Sequence, residues 1–174
     1  MTHWQKADGF FNFEQFYASI ADNLQRGAIA VEVGAYKGKS ILYLAEALLE
    51  RGVSCDLFAV DHFKGSEEHN ISAGQLLSEY LENVYPMRDH ITTLIMPSEQ
   101  AAQHFADGSL DFVFIDASHD YQSVVKDIRA WKPKVRKGGM LAGHDIHHQP
   151  VRDAVTAVLG NFDEYPGTVW GIEV

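Results

Sequence analysis

The sequence predicts an α/β domain: a mostly parallel sheet with helices on both faces. Three observations predict it. Short β-branched apolar runs recur along the chain, apolar residues at helical spacing follow each run, and each run ends on glycine or a polar residue. Strands that read as unbroken apolar runs are those buried on both faces, which is the condition of a parallel sheet covered by its crossover helices.

The elements follow in order. Phe13, Phe16, Tyr17, Ile20 and Leu24 fall at helical spacing, with Asn12 as N-cap, Gln15 three residues on and Phe11 set to pack on Phe16. An amphipathic helix within residues 1–27 therefore opens the chain. Residues 28–33 form an apolar strand closed by Gly34, and Ile41, Leu42, Ala45, Leu48 and Leu49 mark a helix ending at Arg51 and Gly52. A second strand, 57–60, ends in Asp61. Leu76, Leu77, Tyr80, Leu81 and Val84 make the next helix, 91–96 the third strand and 98–105 a short helix. Residues 110–115 are the most strand-like run, followed by Tyr121, Val124, Ile128 and Trp131 at helical spacing up to Pro133, where a helix must stop. Gly138 and Gly139 open a turn before a fifth strand at 140–142. Residues 150–159 form the last helix, with proline near its first position and Gly160 past its end, and 169–174 the terminal strand.

Composition narrows the function. At 174 residues with 46% hydrophobic and 22% charged, the chain is expected to be one domain, residues 1–174, able to bury its own core. Its single cysteine, Cys55, forms no internal disulfide, and the start lacks an export-type segment, so a cytoplasmic location is expected. No apolar run approaches the ~20 residues that span a bilayer. Fourteen Lys and Arg against twenty-four Asp and Glu give a net charge of −10, which repels phosphate backbones and anionic lipid. A small-molecule partner is expected, with neither nucleic acid nor membrane.

Parallel sheets bind ligands at the carboxyl ends of their strands. That rule gathers Gly34 to Ser40, Asp61 and His62, Ser98 and Glu99, Asp116 to His119, and His144 to His148 on one edge. The first turn carries Gly34, Gly38, Lys39 and Ser40 but has three residues between its glycines, one short of a P-loop. Tyr36 and Lys37 stand where a dinucleotide fingerprint needs glycines. A looser reading fits: an acid in the first strand, Glu32, then Gly-x-x-x-Gly, then a ribose-binding acid, Asp61, ending the second strand. A plain tight turn is the alternative, and it leaves Glu32 as an unexplained charge inside an apolar strand. After the fourth and fifth strands, Asp116, His119, His144 and Asp145 suit a hard cation or a general base. Asp120 reads as a helix cap and His147 and His148 as loop residues.

These residues together resemble the class I S-adenosylmethionine-dependent methyltransferases. The resemblance rests on Glu32-Val33-Gly34 with Gly38, Asp61, Ser98, the run from Asp111 through Asp116, His119 and Asp120 to Tyr121, and Gly138-Gly139 leading to Gly143-His144-Asp145. It covers residue 28 to the end and is nearest to the macrocin O-methyltransferase and cephalosporin hydroxylase branch. It implies a Rossmann-like doubly wound, mostly parallel seven-stranded sheet with an antiparallel C-terminal strand. It further implies that S-adenosylmethionine is bordered by Glu32, Gly34, Ala35, Gly38 and Ser40 at its methionine end, with Asp61 on the ribose, His62 beside it and Ser98 near the adenine. In metal-dependent members of the branch, residues at the positions of Asp116, His144 and Asp145 hold magnesium, and a histidine at His119 is the general base. His144 replaces a carboxylate here, which favours a softer divalent cation or none.

The resemblance thus implies O-methylation of a small molecule, a sugar or similar polyol in the nearest branch, with His119 and Asp116 catalytic. A non-catalytic S-adenosylmethionine-binding protein and a metal-dependent hydrolase using Asp116, His119, His144 and Asp145 are the other readings. Residues 64–90, with Glu67, Glu68, His69 and Asn70, are expected to form a lid that chooses substrate or else a solvated loop. A homodimer is one way to complete so small a site.

Overall fold

A computed structural model describes residues 2–65 and 71–174. Seven strands form one sheet: β1 (Ala28–Val33), β2 (Cys55–Asp61), β3 (Ile91–Ile95), β4 (Leu110–Ile115), β5 (Val135–Gly143), β6 (Asp163–Tyr165) and β7 (Val169–Glu173). Their order is β3-β2-β1-β4-β5-β7-β6. The first five run parallel, while β7 lies antiparallel between β5 and β6. The helices are α1 (His3–Lys6), α2 (Glu14–Asn23), α3 (Lys39–Glu50), α4 (Ala73–Val84), α5 (Ser98–Ala102), α6 (Tyr121–Trp131) and α7 (Gln149–Leu159).

Alternation along the central strands divides the core into two layers. Ala28 and Ala30 of β1 and Phe112 and Phe114 of β4 face one side, packed against Phe16, Tyr17 and Ile20 of α2 and Ile41, Leu42 and Leu48 of α3. Val31 and Val33 of β1 and Val113 and Ile115 of β4 face the other, against Val124, Ile128 and Trp131 of α6 and Val151, Ala154 and Val155 of α7. Both faces are buried, which is why these strands read as continuous apolar runs.

Four local features differ from the sequence expectation. The opening helix begins at Glu14, with Phe13 rather than Asn12 at the cap and no side-chain cap bond. Phe11 packs edge-on against Phe13 instead of Phe16. Gly138 and Gly139 lie within β5, not in a turn before it. The register jumps there from Leu110 opposite Val135 to Phe112 opposite Met140, so the extra residues form a bulge, which Gly138 at φ 72° accommodates. β6 has no counterpart in the sequence pattern: Asp163, Glu164 and Tyr165 are exposed or half-buried and carry no apolar run.

Of the segment expected to form a lid, Glu67, Glu68, His69 and Asn70 lie outside the described residues. The helix that follows them is bound into the core through Leu76, Tyr80 and Val84. Among the described residues no helix is long and apolar enough to cross a membrane.

Candidate active site

The strand order reverses between β1 and β4, and a cleft of about 770 Å³ opens at the carboxyl ends of the strands there. One half is walled by the turn after β1 with Asp61, His62, Met96 and Ser98; the other by Asp116, Ser118, His119, His144 and Asp145. The chain before α2, Gly9 to Asn12, forms a rim.

The first half is held by backbone. Asp61 Oδ2 accepts the Tyr36 N–H at 3.0 Å and Oδ1 accepts the Phe63 N–H at 2.7 Å, which fixes the carboxylate. Each oxygen keeps a second lone pair for a ligand hydroxyl. Gly34 has φ 95°, and a Cβ there would lie 2.0 Å from the Asp116 carbonyl oxygen, so only glycine lets the β1 turn cross the end of β4 this closely. Ala35 and Ser40 line the cleft, whereas Gly38 packs on Val84 and Tyr80 and serves the turn. His62 is exposed and its Nδ1 accepts the Lys64 N–H at 2.9 Å. Ser98 Oγ accepts the Trp131 indole N–H at 2.9 Å and donates to Asp127, tying the cleft wall to α6. Burial pushes Asp127 up to about 6, against the pull of the Ser98 hydrogen bond.

Glu32 lies beneath the cleft rather than on its wall. It is 1% exposed, and its two oxygens accept from Tyr17 Oη at 2.6 Å and Ser40 Oγ at 2.9 Å. Burial raises its carboxyl to about 8 despite those two hydrogen bonds. The acid inside the apolar strand is thus a buried hydrogen-bonding post, and its route to the cleft is the Ser40 hydroxyl. Helical spacing marks Tyr17 only as a core aromatic and does not signal that its hydroxyl serves Glu32.

The second half is held side chain to side chain. His144 Nδ1 sits 3.3 Å from Asp116 Oδ1 and 3.2 Å from Asp145 Oδ2. His119 Nε2 meets the same Asp145 oxygen at 2.7 Å, and its ring stacks on His148 at 5.2 Å between centroids. On its far side, His144 Nε2 meets Asn12 Oδ1 at 2.9 Å and Thr168 Oγ1 at 3.1 Å. Burial works against charge on His144, but hydrogen bonds to Asp116 and Asp145 and their charges outweigh it and lift the imidazole to about 10. Asp145 is correspondingly held far below the ordinary carboxylate range: burial opposes this, and the hydrogen bonds of His119 and His144 prevail. Asp120 caps α6, its Oδ1 accepting the Ser123 N–H at 3.0 Å. His147 and His148 are exposed, His147 Nδ1 lying 3.6 Å from Asp145 Oδ1.

Asn12 and Thr168 are site residues that sequence reasoning does not find. Asn12 carries a weak signal, a polar residue among Phe10, Phe11 and Phe13, which helical spacing assigns to a cap; Thr168, in the turn between β6 and β7 at φ 58°, carries none.

Asp116, His144 and Asp145 each bring a donor atom within 4.8 Å of the others, the spacing of a cation site. As arranged, the His144 nitrogen of that set faces the two carboxylate oxygens at hydrogen-bond distance.

A family model described as a methyltransferase domain matches residues 31–146, more than half of the chain, and takes in both cleft halves but not the rim, Asn12, His148 or Thr168. The chain belongs to this methyltransferase family. That membership supports S-adenosylmethionine as the cofactor. Among solved structures, the chain is similar to a Corynebacterium glutamicum protein at 16% identity and TM-score 0.66, covering 97% of this chain and 83% of that one. It resembles cofactor-bound Rv0187 from MTB and the O-methyltransferase NovP, each at 16% identity and TM-score 0.67, covering 92% of this chain and 78% of theirs. At these identities the likeness is one of fold. A curated Sinorhizobium fredii protein, y4gI, described as uncharacterized, is 24% identical over 115 residues, 66% of this chain; the chain spans 13% of that protein's length.

Proposed function

We propose that this methyltransferase transfers methyl from S-adenosylmethionine to a hydroxyl oxygen of a small molecule, with His119 as general base. The observation that carries the proposal is the 2.7 Å contact of His119 Nε2 with Asp145 at the end of the cleft. A carboxylate on Nε2 fixes the tautomer with hydrogen there and leaves the lone pair on Nδ1, the form a base needs. The side chain is 27% exposed, and it lines the cleft.

The cofactor supplies an electrophilic sulfonium methyl when bound; the protein's residues supply the rest. Asp61, preset by two backbone N–H groups, is placed for the ribose hydroxyls, and the Gly34 turn lets the ligand approach the backbone. Ser40 lines the same half, anchored below by Glu32. At the other half Asp145 orients His119, which takes the acceptor's hydroxyl proton as the new carbon–oxygen bond forms. Alignment and proton removal are the two contributions such a displacement asks of a protein. A hydroxyl acceptor fits this site better than an amine, because an alcohol needs a base at neutral pH. The rim residues Phe10 and Phe11 and the His119 side of the cleft are where a sugar, polyol or phenol would be selected, and the net charge of −10 favours neutral or cationic acceptors over phosphorylated ones.

The test is production of S-adenosylhomocysteine from S-adenosylmethionine against a panel of sugars, polyols and phenols. Turnover with one of them that falls in His119→Gln while S-adenosylhomocysteine binding persists is the expected result. Full turnover in His119→Gln would remove the base assignment.

A further inference from the structure

The resemblance to metal-dependent methyltransferases puts a divalent cation on Asp116, His144 and Asp145, yet the side chains here are already arranged around something else. His144 is nearly buried, its side chain 10% exposed, and both ring nitrogens are engaged. Nδ1 lies between Asp116 Oδ1 and Asp145 Oδ2 at 3.3 and 3.2 Å. A lone pair at that point would face two anionic acceptors, so the nitrogen carries hydrogen. Nε2 lies 2.9 Å from the amide oxygen of Asn12, again an acceptor, with the Thr168 hydroxyl at 3.1 Å. That nitrogen carries hydrogen as well. A ring with hydrogen on both nitrogens is an imidazolium and has no lone pair to give a metal. The backbone holds the ring in place: the His144 N–H donates to Ile115 O at 3.0 Å, and its carbonyl accepts the Trp170 indole N–H at 3.2 Å.

We infer that the His144 imidazolium is the resident cation of this site, standing between Asp116 and Asp145 in place of a divalent metal, so that methyl transfer here is independent of added cations. The inference rests on the methyl-transfer reading above. Its parts come from distant places in the chain, since Asn12 precedes the family-matched region and Thr168 follows it. The charge balance differs from that of a metal site: one positive ring between two carboxylates leaves a net negative charge, whereas a divalent ion would cancel them. The remaining negative charge suits a base, because Asp145 also holds His119 at 2.7 Å, and His147 is the other titratable group facing it, at 3.6 Å.

The experiment is titration of the purified chain with manganese followed by electron paramagnetic resonance, with calorimetric titration of S-adenosylhomocysteine alongside. The wild type is expected to leave manganese free, and His144→Asp, which restores a third carboxylate, to bind it at least about tenfold tighter. Manganese held by the wild type and released by Asp116→Asn would overturn the inference; manganese held but indifferent to Asp116→Asn lies elsewhere and agrees with it. Should His144→Asp fail to fold, the wild-type titration still decides, and proton–nitrogen correlation spectra of the wild type add a second readout. Hydrogen on both His144 ring nitrogens at pH 7 is expected, and a single hydrogen would overturn the proposal. Failure of S-adenosylhomocysteine to bind would instead strike the methyl-transfer reading and leave the manganese and ring-proton results standing.

Discussion

The two halves of the cleft are built on different principles. On the β1 and β2 side, function is held by backbone: Asp61 is fixed by the N–H groups of Tyr36 and Phe63, and the Gly34 turn is defined by its clearance to the Asp116 carbonyl. On the β4 and β5 side, the chain Asn12, His144, Asp145 and His119 joins side chain to side chain across 132 residues of sequence. A half built from a turn tolerates change in most side chains but none in its glycine, whereas a half built from a network depends on every member being present. Under the proposed function, substitutions are therefore expected to separate them: those in the first half should change cofactor binding and folding, those in the second turnover.

The largest effect is expected in the network. His119→Ala should lower turnover by ~10²- to 10⁴-fold, the usual contribution of a positioned base, with S-adenosylhomocysteine affinity unchanged; steady-state kinetics beside calorimetry would show it. Equal losses of turnover and of affinity would break the division between the halves. Gly34→Ala comes next, because its Cβ meets backbone at 2.0 Å and φ is 95°. Combining overpacking and the left-handed backbone gives a cost of roughly 2 to 5 kcal/mol, measurable by urea denaturation.

How far the halves were legible in the sequence follows the same division. The glycine turn, Asp61, and the run from Asp111 to Asp116 are local patterns, and strand ends fix where such patterns must lie, so the parallel sheet and the gathering of these residues at its carboxyl edge could be anticipated, though not the order of the strands. Glu32 was visible as an acid in an apolar strand, but its partners were not, since a hydroxyl on a core aromatic such as Tyr17 leaves no mark on helical spacing. His144 was visible as a departure from a carboxylate pair. What it does depends on Asn12 and Thr168, which only the folded chain brings to it. β6 leaves no mark because three exposed or half-buried edge residues need no hydrophobic pattern to pair with β7.

Smaller effects sharpen the contrast on the first side. Asp127, held at about 6 by burial beside Ser98, binds its proton more tightly folded than unfolded. Its contribution to stability is therefore present below the ordinary pKa of ~4 and is lost as pH rises to about 6, on the order of 2 to 3 kcal/mol for a shift of this size. Asp127→Asn should flatten that part of a pH-dependent denaturation series, and an unchanged slope would show that burial there is not the cause. Tyr17→Phe removes one of two hydrogen bonds to buried Glu32 and should cost about 1 to 2 kcal/mol in thermal or urea unfolding, with His119-dependent turnover little altered.

The most direct test of the account is calorimetric titration of S-adenosylhomocysteine into the wild type and Asp61→Ala, both in chelator and both checked for folding by circular dichroism. The account predicts one-to-one binding by the wild type in chelator and a loss of at least about tenfold in Asp61→Ala, the size of a charged hydrogen bond to the ligand. No binding by the folded wild type, or equal binding by the two proteins, would contradict it.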